Sequence, residues 1–414
     1  MKISNQIWLD KNIIRPIVIL LNGFVRLAGK IFRINHNLNR DFKTIAICKY
    51  KGIGSIIQAT PLIRTLRNKY PQAKIIFVTT KSHENFLTLI PDVDEIISID
   101  DSSGRNLFLS FFPFLYKLIS KNIAVYIDLE IYSHFSTLVT TLSMAKNRFG
   151  YYLRSSQYRM GCNTHMLFYN IQHPIAETYL QFARLLGCTE IENQLWNFST
   201  IPQTDFSNNE LLKNFSSKKY ILINPNASDL RLERRWPLHS FAQLIDNIGN
   251  QFTDFNIGII GSSGEKKYVE TLILKTTIKN NVVNLAGETS LSELFYLLKN
   301  ATCFITNDTG PMHMAMAVNV KTIALFGPCS PGQYGNHSKV KPIYKNVYCS
   351  PCVHEFETPP CNGNNVCMQI IQVNEVFDSL NKTMEENMNP EKIFSDTIIY
   401  TDSENAVLGL VKRS

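Results

Sequence analysis

The chain lacks several signatures that would each assign a function on their own. It has no Gly-x-x-x-x-Gly-Lys-[Ser/Thr] loop, which argues against a nucleoside triphosphatase. No Asp-x-Asp pair stands at a convincing strand end, so the sequence does not indicate a divalent metal held on a phosphorylated ligand. Four histidines without metal-ligand spacing are expected to be structural or surface residues: His83, His134, His165 and His173.

Beyond the first 43 residues, basic and acidic residues nearly balance. The net charge is +8, and eight basic against two acidic residues before residue 44 account for +6 of it. A protein that binds nucleic acid along its body is expected to distribute Lys and Arg over its folded domains, so we expect no nucleic-acid partner. The length of 414 residues, 44% of them hydrophobic and 18% charged, is typical of two globular domains with sizeable cores.

Residues 1–43 form a basic arm with helical periodicity. Only ten uncharged residues separate Arg15 from Arg26, about half of the ~20 needed to cross a bilayer, and no small-residue cleavage site follows. We therefore expect neither a spanning helix nor a signal peptide. Two alternatives remain, a helix lying on an anionic membrane surface and a helix packed on the protein's own core. The apolar face contains Ile17, Leu20, Leu21, Phe24, Leu27, Ala28 and Ile31.

The cysteines divide into two groups. Five are scattered singly, mostly in apolar surroundings, which suits reduced thiols in the cytoplasm. The other four lie in one loop rich in Pro, Gly and Asn, and their spacing can hold a structural zinc ion tetrahedrally. These four are Cys349, Cys352, Cys361 and Cys367.

Strand-like apolar runs alternate with helical stretches, which predicts an α/β protein with parallel, doubly wound sheets. The predicted N-terminal domain occupies residues 44–200, and the second occupies residues 201–384. A polar stretch, Asn193 to Lys219, is interpreted as the linker, and residues 385–414 as a tail of unknown role. The predicted strands are Thr44 to Cys48, Ile75 to Val78, Glu95 to Ile99, Ala124 to Leu129, Tyr220 to Asn224, Phe255 to Gly261, Asn281 to Leu285, Cys303 to Thr306 and Thr322 to Phe326.

The segment from Asn307 to His313 is the most informative in the chain. It follows an apolar strand and opens a helix of small residues, so backbone N–H groups and the positive end of the helix dipole can bind a phosphate or diphosphate. A plain N-terminal cap, made by Asp308 or Thr309, is the alternative.

Four ordered blocks carry a family resemblance: Asn224-Pro-Asn-Ala-Ser228, Arg234-Arg-Trp-Pro237, Asn307-Asp-Thr-Gly-Pro-Met-His313 and Thr322-Ile-Ala-Leu-Phe-Gly-Pro328. Together they resemble glycosyltransferase family 9, the heptosyltransferases of lipopolysaccharide core assembly. The turn from Gly52 to Ser55 and Thr60-Pro-Leu62 match further motifs, so the resemblance covers roughly residues 44 to 380.

The resemblance implies a GT-B fold, in which two Rossmann-like domains face a cleft. It also implies an inverting, metal-independent transfer that requires no cofactor. The expected donor is a nucleotide sugar, in the first place ADP-heptose, and the expected acceptor is a lipid-linked core oligosaccharide. The protein is then expected in the cytoplasm, peripheral on the inner face of the cytoplasmic membrane.

Donor-binding residues are assigned from the resemblance and from strand ends. Asp308, Thr309, Gly310 and His313 match the donor diphosphate motif. Arg234 stands where the family usually has a Lys, and its fixed charge would stabilise the departing nucleoside diphosphate; a solvated surface Arg is the alternative. Glu265 is predicted either to accept hydrogen bonds from ribose or to serve as a charge at a helix N-terminus.

The acceptor side departs from the family. Ser55 replaces the Asp that the family is thought to use as its base, and an unaided serine cannot deprotonate a hydroxyl. We predict that Glu130 is the base, with Asp128 second, because both stand at the end of one strand; the alternative is that they only cap the next turn. Gly52 and Gly54 form the acceptor-side turn.

Three functions follow for testing. The first is heptosyl transfer from ADP-heptose. The second is a related transferase with another nucleotide-sugar donor. The third is a non-catalytic member that binds nucleotide sugar and scaffolds an assembly complex, which Ser55 would favour if it reflects lost catalysis.

Overall fold

The computed structural model describes residues 3–153, 157, 159–200, 206, 209–227, 231–353 and 359–388. Within them, all pairs of neighbouring strands in two six-stranded sheets are parallel. The predicted α/β class is confirmed.

The N-terminal sheet has the strand order β3-β2-β1-β4-β5-β6. Its strands are β1 (Thr44–Cys48), β2 (Lys74–Thr80), β3 (Glu95–Ile99), β4 (Val125–Asp128), β5 (Asn147–Tyr152) and β6 (His165–Phe168). The inner strands are buried because apolar residues fill both faces, as helices covering both sides of a parallel sheet require.

The C-terminal sheet repeats this arrangement with the order β12-β11-β10-β7-β8-β9. Its strands are β7 (Tyr220–Asn224), β8 (Asn256–Ile259), β9 (Val282–Asn284), β10 (Cys303–Asn307), β11 (Thr322–Phe326) and β12 (Val340–Tyr344). Both orders are those of the doubly wound dinucleotide-binding fold.

Helices cover both sheets. They are α1 (Ile3–Leu9), α2 (Arg15–Phe32), α3 (Ile53–Gln58), α4 (Thr60–Lys69), α5 (Glu84–Leu87), α6 (Gly104–Ser120), α7 (His134–Leu142), α8 (Ile175–Leu185), α9 (Glu210–Phe215), α10 (Leu238–Gln251), α11 (Lys266–Lys275), α12 (Leu291–Asn300), α13 (Gly310–Ala317), α14 (Pro331–Tyr334), α15 (Val366–Gln369) and α16 (Val373–Met388). A π-helical turn, Asp10–Ile14, joins α1 to α2.

The strand order reverses once in each sheet, between β1 and β4 and between β7 and β10. In open parallel sheets ligands bind beyond the carboxyl ends of the strands at these switch points. The two domains meet there, because α3, which follows β1, packs against α13, which follows β10. One apolar cluster crosses this contact and includes Ile56 of α3 and Ala315 of α13.

Several boundaries differ from the sequence predictions. The pattern of residues Ile56 to Lys69 predicts one helix, but the structure has two helices there, α3 and α4, which divide at Ala59. Part of the predicted linker is the helix α9. The helix α16 continues to Met388, past the predicted domain end at residue 384. Residues 389–414 of the predicted tail lie outside the described residues, as do residues 201–205 at the predicted domain boundary, which stays a prediction.

The N-terminal arm docks on α7. The Asp10 carboxylate accepts hydrogen bonds from the His134 and Phe135 amides at 3.0 and 2.7 Å and contacts His134 Nδ1 at 2.7 Å. Ile14 and Val18 are buried against Leu138. The arm therefore packs on the core along one narrow stripe.

The opposite side of the arm is exposed and apolar. Leu20 is 76% and Phe24 69% exposed, and both belong to the apolar face predicted from the periodicity. By length and composition alone the helical segment Asn5–Phe32 could cross a membrane. If this segment spanned a membrane, the contacts of Asp10 and Val18 with the N-terminal domain would have to break.

Candidate active site

The turn between β10 and α13 leaves helix amides open. Thr309 is the N-cap residue of α13, but its side chain makes no capping hydrogen bond, so the alternative of a plain N-terminal cap is wrong for Thr309. No hydrogen bond among the described residues uses the Thr309 or Gly310 amide. A side chain at Gly310 would meet no atom within 4 Å, which leaves space beside these amides for an anion.

Buried amide side chains hold this turn in place. Asn307 Nδ2 donates to the carbonyls of Pro225 and Asn226 at 3.0 and 3.1 Å. Asn224 Nδ2 donates to Thr309 Oγ1 at 2.8 Å. The Thr309 hydroxyl is thus used to fix β10 against β7, which explains why it does not cap the helix.

Arg234 lies beside Asp308 at the mouth of this turn. Its Nη1 is 3.5 Å from Asp308 Oδ2 and donates to the Asp308 carbonyl at 3.3 Å. Burial acts to lower the pKa of the Arg234 guanidinium, but Cys329 and Asp308 raise it on balance. The alternative of a solvated surface Arg is wrong, because the side chain is only 21% exposed.

Two buried polar atoms in this group have no hydrogen-bond partner within the described residues, Arg234 Nε and Asp308 Oδ2. Buried polar atoms are nearly always paired in folded proteins. Asp308 Oδ2 still lies within ion-pair distance of Arg234 Nη1, so the open group is the Arg234 Nε–H donor. An open donor beside an uncapped helix N-terminus suits an anionic ligand.

Glu265 is part of a capping box. Its Oε2 accepts hydrogen bonds from the Ser262 amide and hydroxyl, both at 2.8 Å. This is the helix-terminus role that the sequence left open. The other role, contact with a ribose, stays a prediction.

The acceptor-side turn touches the donor motif directly. Gly52 has a φ of +85°, in the left-handed region that favours glycine. A Cβ at Gly54 would lie 2.2 Å from Cδ2 of His313, so only glycine fits under the imidazole. The structure thereby brings together the glycine turn of one domain and the histidine of the other.

At the position where the family has its base, this chain has Ser55, whose side chain is a hydroxyl and not a carboxylate. Its side chain lies beside the Tyr179 hydroxyl, whose pKa burial raises. Neither the Ser55 hydroxyl nor the Tyr179 hydroxyl accepts a proton readily at neutral pH, so Tyr179 does not activate the serine as a base.

Glu130 is buried at the end of β4 and fully paired. Its Oε2 accepts from Lys49 Nζ at 2.9 Å, and its Oε1 accepts from the Tyr50 and Lys51 amides at 2.8 and 3.1 Å. Burial acts to raise the pKa of the Glu130 carboxyl, but Lys49 and these hydrogen bonds lower it below its usual value. Glu130 is therefore ionised at neutral pH.

Asp128 lies behind Glu130. It accepts from Ser136 Oγ at 2.8 Å and from the Glu130 amide at 2.9 Å. Burial raises the pKa of the Asp128 carboxyl. Its contacts support the loop that carries Glu130, and they include the start of α7.

Two residues of the site were not predicted, Lys49 and Gln58, which flank the acceptor-side turn. Asn307 was predicted as part of the donor motif, and the structure adds that it joins the two central strands of the C-terminal sheet. A lysine directly after a buried strand is a signal that could have indicated a buried ion pair. Gln58 gave no signal, since its partner is 255 residues away.

The four loop cysteines are free thiols, Cys352 and Cys367 buried and Cys349 and Cys361 partly buried. Burial and the neighbouring thiols raise the pKa of Cys367 to about 11. No group of three or more His, Cys, Asp or Glu side chains within the described ranges is arranged to hold a metal ion. Residues 354–358 of this loop are not described, and the zinc site stays a prediction.

Comparison with known proteins agrees with this geometry. Lipopolysaccharide core heptosyltransferase OpsX of Haemophilus influenzae is 25% identical over 315 residues, 73% of this chain and 85% of that protein. The structure of Escherichia coli ADP-heptose lps heptosyltransferase II covers 84% of this chain and 99% of its own, with a TM-score of 0.63 and 21% identity. Escherichia coli heptosyltransferase WaaC with ADP covers 82% of this chain and 99% of its own, with a TM-score of 0.59 and 16% identity.

Two Rossmann-like domains that meet at their switch points, with an open helix N-terminus in the second, form the GT-B fold. The model of glycosyltransferase family 9 (heptosyltransferase) matches residues 118–361. The chain belongs to this family, and the predicted fold and enzyme class are confirmed.

Proposed function

We propose that this glycosyltransferase transfers heptose from ADP-heptose to a lipid-linked core oligosaccharide in lipopolysaccharide assembly, with inversion at the anomeric carbon. The observation that carries the proposal is the open donor site, in which uncapped amides at Gly310 adjoin the unpaired Nε of Arg234. The donor sugar is taken from the relatives, whose names include ADP-heptose and heptosyltransferase.

In the proposed reaction, an acceptor hydroxyl attacks the anomeric carbon while the bond to the diphosphate breaks. The departing ADP gains negative charge, which the amides of Thr309 and Gly310 and the Arg234 guanidinium stabilise. Contact between the two domains at Gly54 and His313 excludes water from this region, which limits hydrolysis of the donor.

Glu130 is the proposed base, with Asp128 as its support. It is ionised and stands at the switch point of the acceptor-side domain. Its three hydrogen bonds weaken it as a proton acceptor, so release of Lys49 on acceptor binding would strengthen it.

A transfer assay tests the proposal. Purified protein is incubated with ADP-heptose and a truncated core lipid, the product is detected by mass, and donor hydrolysis and donor binding are measured in parallel. Heptosylated lipid supports the proposal. A panel of other nucleotide sugars is tested in the same assay. If transfer occurs only with one of these, that sugar nucleotide and not ADP-heptose is the donor.

One observation favours a second function, nucleotide-sugar binding without catalysis. Ser55 occupies the position of the family's base, and its side chain lies beside the Tyr179 hydroxyl, which does not readily accept a proton. Such a protein would bind ADP-heptose in calorimetry and transfer it to no acceptor. An arm-anchored scaffold for an assembly complex would then be the better description.

The arm is proposed to bind the inner face of the cytoplasmic membrane. Its exposed apolar side chains are joined by those of α6, which lies next to it because Phe111 packs on the cluster of Ile14 and Val18. Exposed apolar residues on α6 are Phe108, Leu109, Phe112 and Tyr116. Four basic residues on or next to the same two helices are exposed, and their charge complements anionic lipid: Arg15, Lys30, Arg33 and Arg105.

A structural zinc ion at the four loop cysteines is also proposed. Four thiols in one loop are a donor set that zinc prefers. Metal analysis of the purified protein should find one zinc per chain, and the Cys349→Ser variant should lose it. Protein with four titratable thiols and no zinc would refute the site.

A further inference from the structure

A glutamine of the acceptor-side domain contacts the histidine of the donor motif. Gln58 is the last residue of α3, and its Nε2 lies 3.0 Å from Nδ1 of His313. Both residues are 6% exposed, so neither nitrogen exchanges this contact freely for water. The contact joins the two domains across the cleft.

A third side chain fixes the orientation of the Gln58 amide. Nε2 of Gln58 also points at the thioether sulfur of Met316, at 3.7 Å. The sulfur can accept a hydrogen bond and cannot donate one. If the amide were turned over, its oxygen would face the sulfur, and two acceptors would be left together in a buried site.

The amide therefore donates to His313, and Nδ1 is the acceptor nitrogen of the ring. Burial lowers the pKa of His313 to about 4, with Asp308 raising and Arg234 lowering it, so the ring is neutral near pH 7. A neutral imidazole carries one proton, which must then be on Nε2.

The Nε2–H group lies next to the acceptor-side turn. Nε2 is 3.1 Å from the position of a Cβ on Gly54, and no hydrogen bond among the described residues uses it. Arg234 and Asp308 of the donor site are close enough to act on the charge of the same ring. The Nε2 proton is therefore the one that His313 can offer to a ligand bound at this turn.

We propose that Gln58 is a positioning residue that holds His313 as the Nε2–H tautomer, so that His313 donates a hydrogen bond to the diphosphate of the nucleotide ligand. The diphosphate part rests on the proposed function. The same assignment rules out His313 as the base that Ser55 no longer supplies, because its Nε2 has no lone pair and its Nδ1 is occupied.

The tautomer is measured by nitrogen NMR of protein labelled at histidine, with the His313 signals identified by their loss in His313→Asn. The wild type should show a protonated Nε2 and a bare Nδ1. Gln58→Glu should reverse this, because a carboxylate accepts from Nδ1–H, and Gln58→Met should give a mixture. A protonated Nδ1 in the wild type would overturn the proposal.

The role in binding is measured by titration with ADP. Loss of one hydrogen bond to a charged group should weaken ADP binding about tenfold or more in Gln58→Glu. The loss should be smaller in Gln58→Met, whose mixture keeps part of the Nε2–H tautomer. Unchanged ADP affinity and turnover in a variant with the reversed tautomer would refute the donation to diphosphate. Failure of the wild type to bind ADP would count against the nucleotide assignment while the NMR result still decides the tautomer.

Gln333 provides a matched control. It is also a buried glutamine that joins the domains, since its Nε2 donates to the Tyr169 hydroxyl at 2.8 Å. Gln333→Met should weaken the domain contact and leave the tautomer of His313 unchanged. If it shifts the tautomer as Gln58→Met does, the domain contact in general, and not Gln58, sets the proton position, and the proposal fails.

Discussion

Replacing Glu130 by Gln separates its structural role from its chemical one. The carboxylate and Lys49 are 2.9 Å apart, and their side chains are 10% and 8% exposed. At an effective dielectric constant of about 20, this distance corresponds to a Coulomb attraction of about 6 kcal/mol. Removing one partner leaves a buried charge, so we expect a loss of about 3–5 kcal/mol in the free energy of unfolding.

In a melting experiment this loss corresponds to a fall in Tm of about 6–20 °C for a domain of ~150–200 residues. If Glu130 is the base, turnover is also abolished, while ADP binding, which uses the other domain, is kept. Because the folded-state pKa of Glu130 is lowered, its contribution to stability is present above the ordinary value of 4.5 and is lost as the pH falls below it. The Tm difference between wild type and variant should therefore shrink in acid.

The double variant Glu130→Gln with Lys49→Met decides between the roles. It removes both charges, so most of the lost stability should return. Turnover that stays absent in this stable protein supports Glu130 as the base. Turnover that returns with stability would refute the base assignment and leave Glu130 as the partner that holds Lys49.

Three other perturbations test the site and the arm. Gly54→Ala should lower turnover about 100-fold or more, because its methyl group would displace His313, with kinetics and Tm measured together. Phe24→Glu should reduce cosedimentation with phosphatidylglycerol vesicles, because Phe24 is exposed on the apolar side of the arm. Asp10→Asn should loosen the arm, seen as faster amide exchange in α2, because it removes the anion bound by the His134 and Phe135 amides.

Each of these has a control in the same chain. Gly23→Ala, where a methyl group meets no atom within 4 Å, should leave turnover unchanged. Leu274 is 80% exposed on α11, and Leu274→Glu should not affect vesicle binding. Equal loss of vesicle binding in this control and in Phe24→Glu would refute the membrane surface. For Asp10, amide protection in α2 of the wild type, corrected for the intrinsic pH dependence of exchange, should fall as the pH falls below about 3.8, since the pKa of Asp10 is lowered from that value.

The order of motifs predicted the fold and the donor turn because these depend on local pattern. The strands Thr44–Cys48 and Thr322–Phe326 were placed at their observed bounds, since each is a short apolar run before a glycine-bearing or polar turn. The strands β5, β6 and β12 were missed. His165–Phe168 is a strand of only four residues at the edge of its sheet, and a run this short gives too little pattern to distinguish a strand from a loop.

Pairing across the chain could not be predicted in the same way. The Lys49–Glu130 and Gln58–His313 contacts join residues 81 and 255 positions apart, and nothing in the local pattern of either member identifies its partner. The sequence placed Glu130 at a strand end in the cleft but gave no indication that its carboxylate would be occupied. Burial of both groups together, which only the packed domain produces, decides that chemistry.

The attachment of the arm to α7 has a geometric consequence for the acceptor. The Asp10 carboxylate binds the first residue of α7, His134, which is only four positions along the chain from Glu130. Even a fully extended chain of this length spans no more than about 14 Å. If Glu130 is the base and the arm rests on a membrane, the hydroxyl to be modified must lie at a fixed, short height above that membrane, and sugars farther from the lipid would be out of reach.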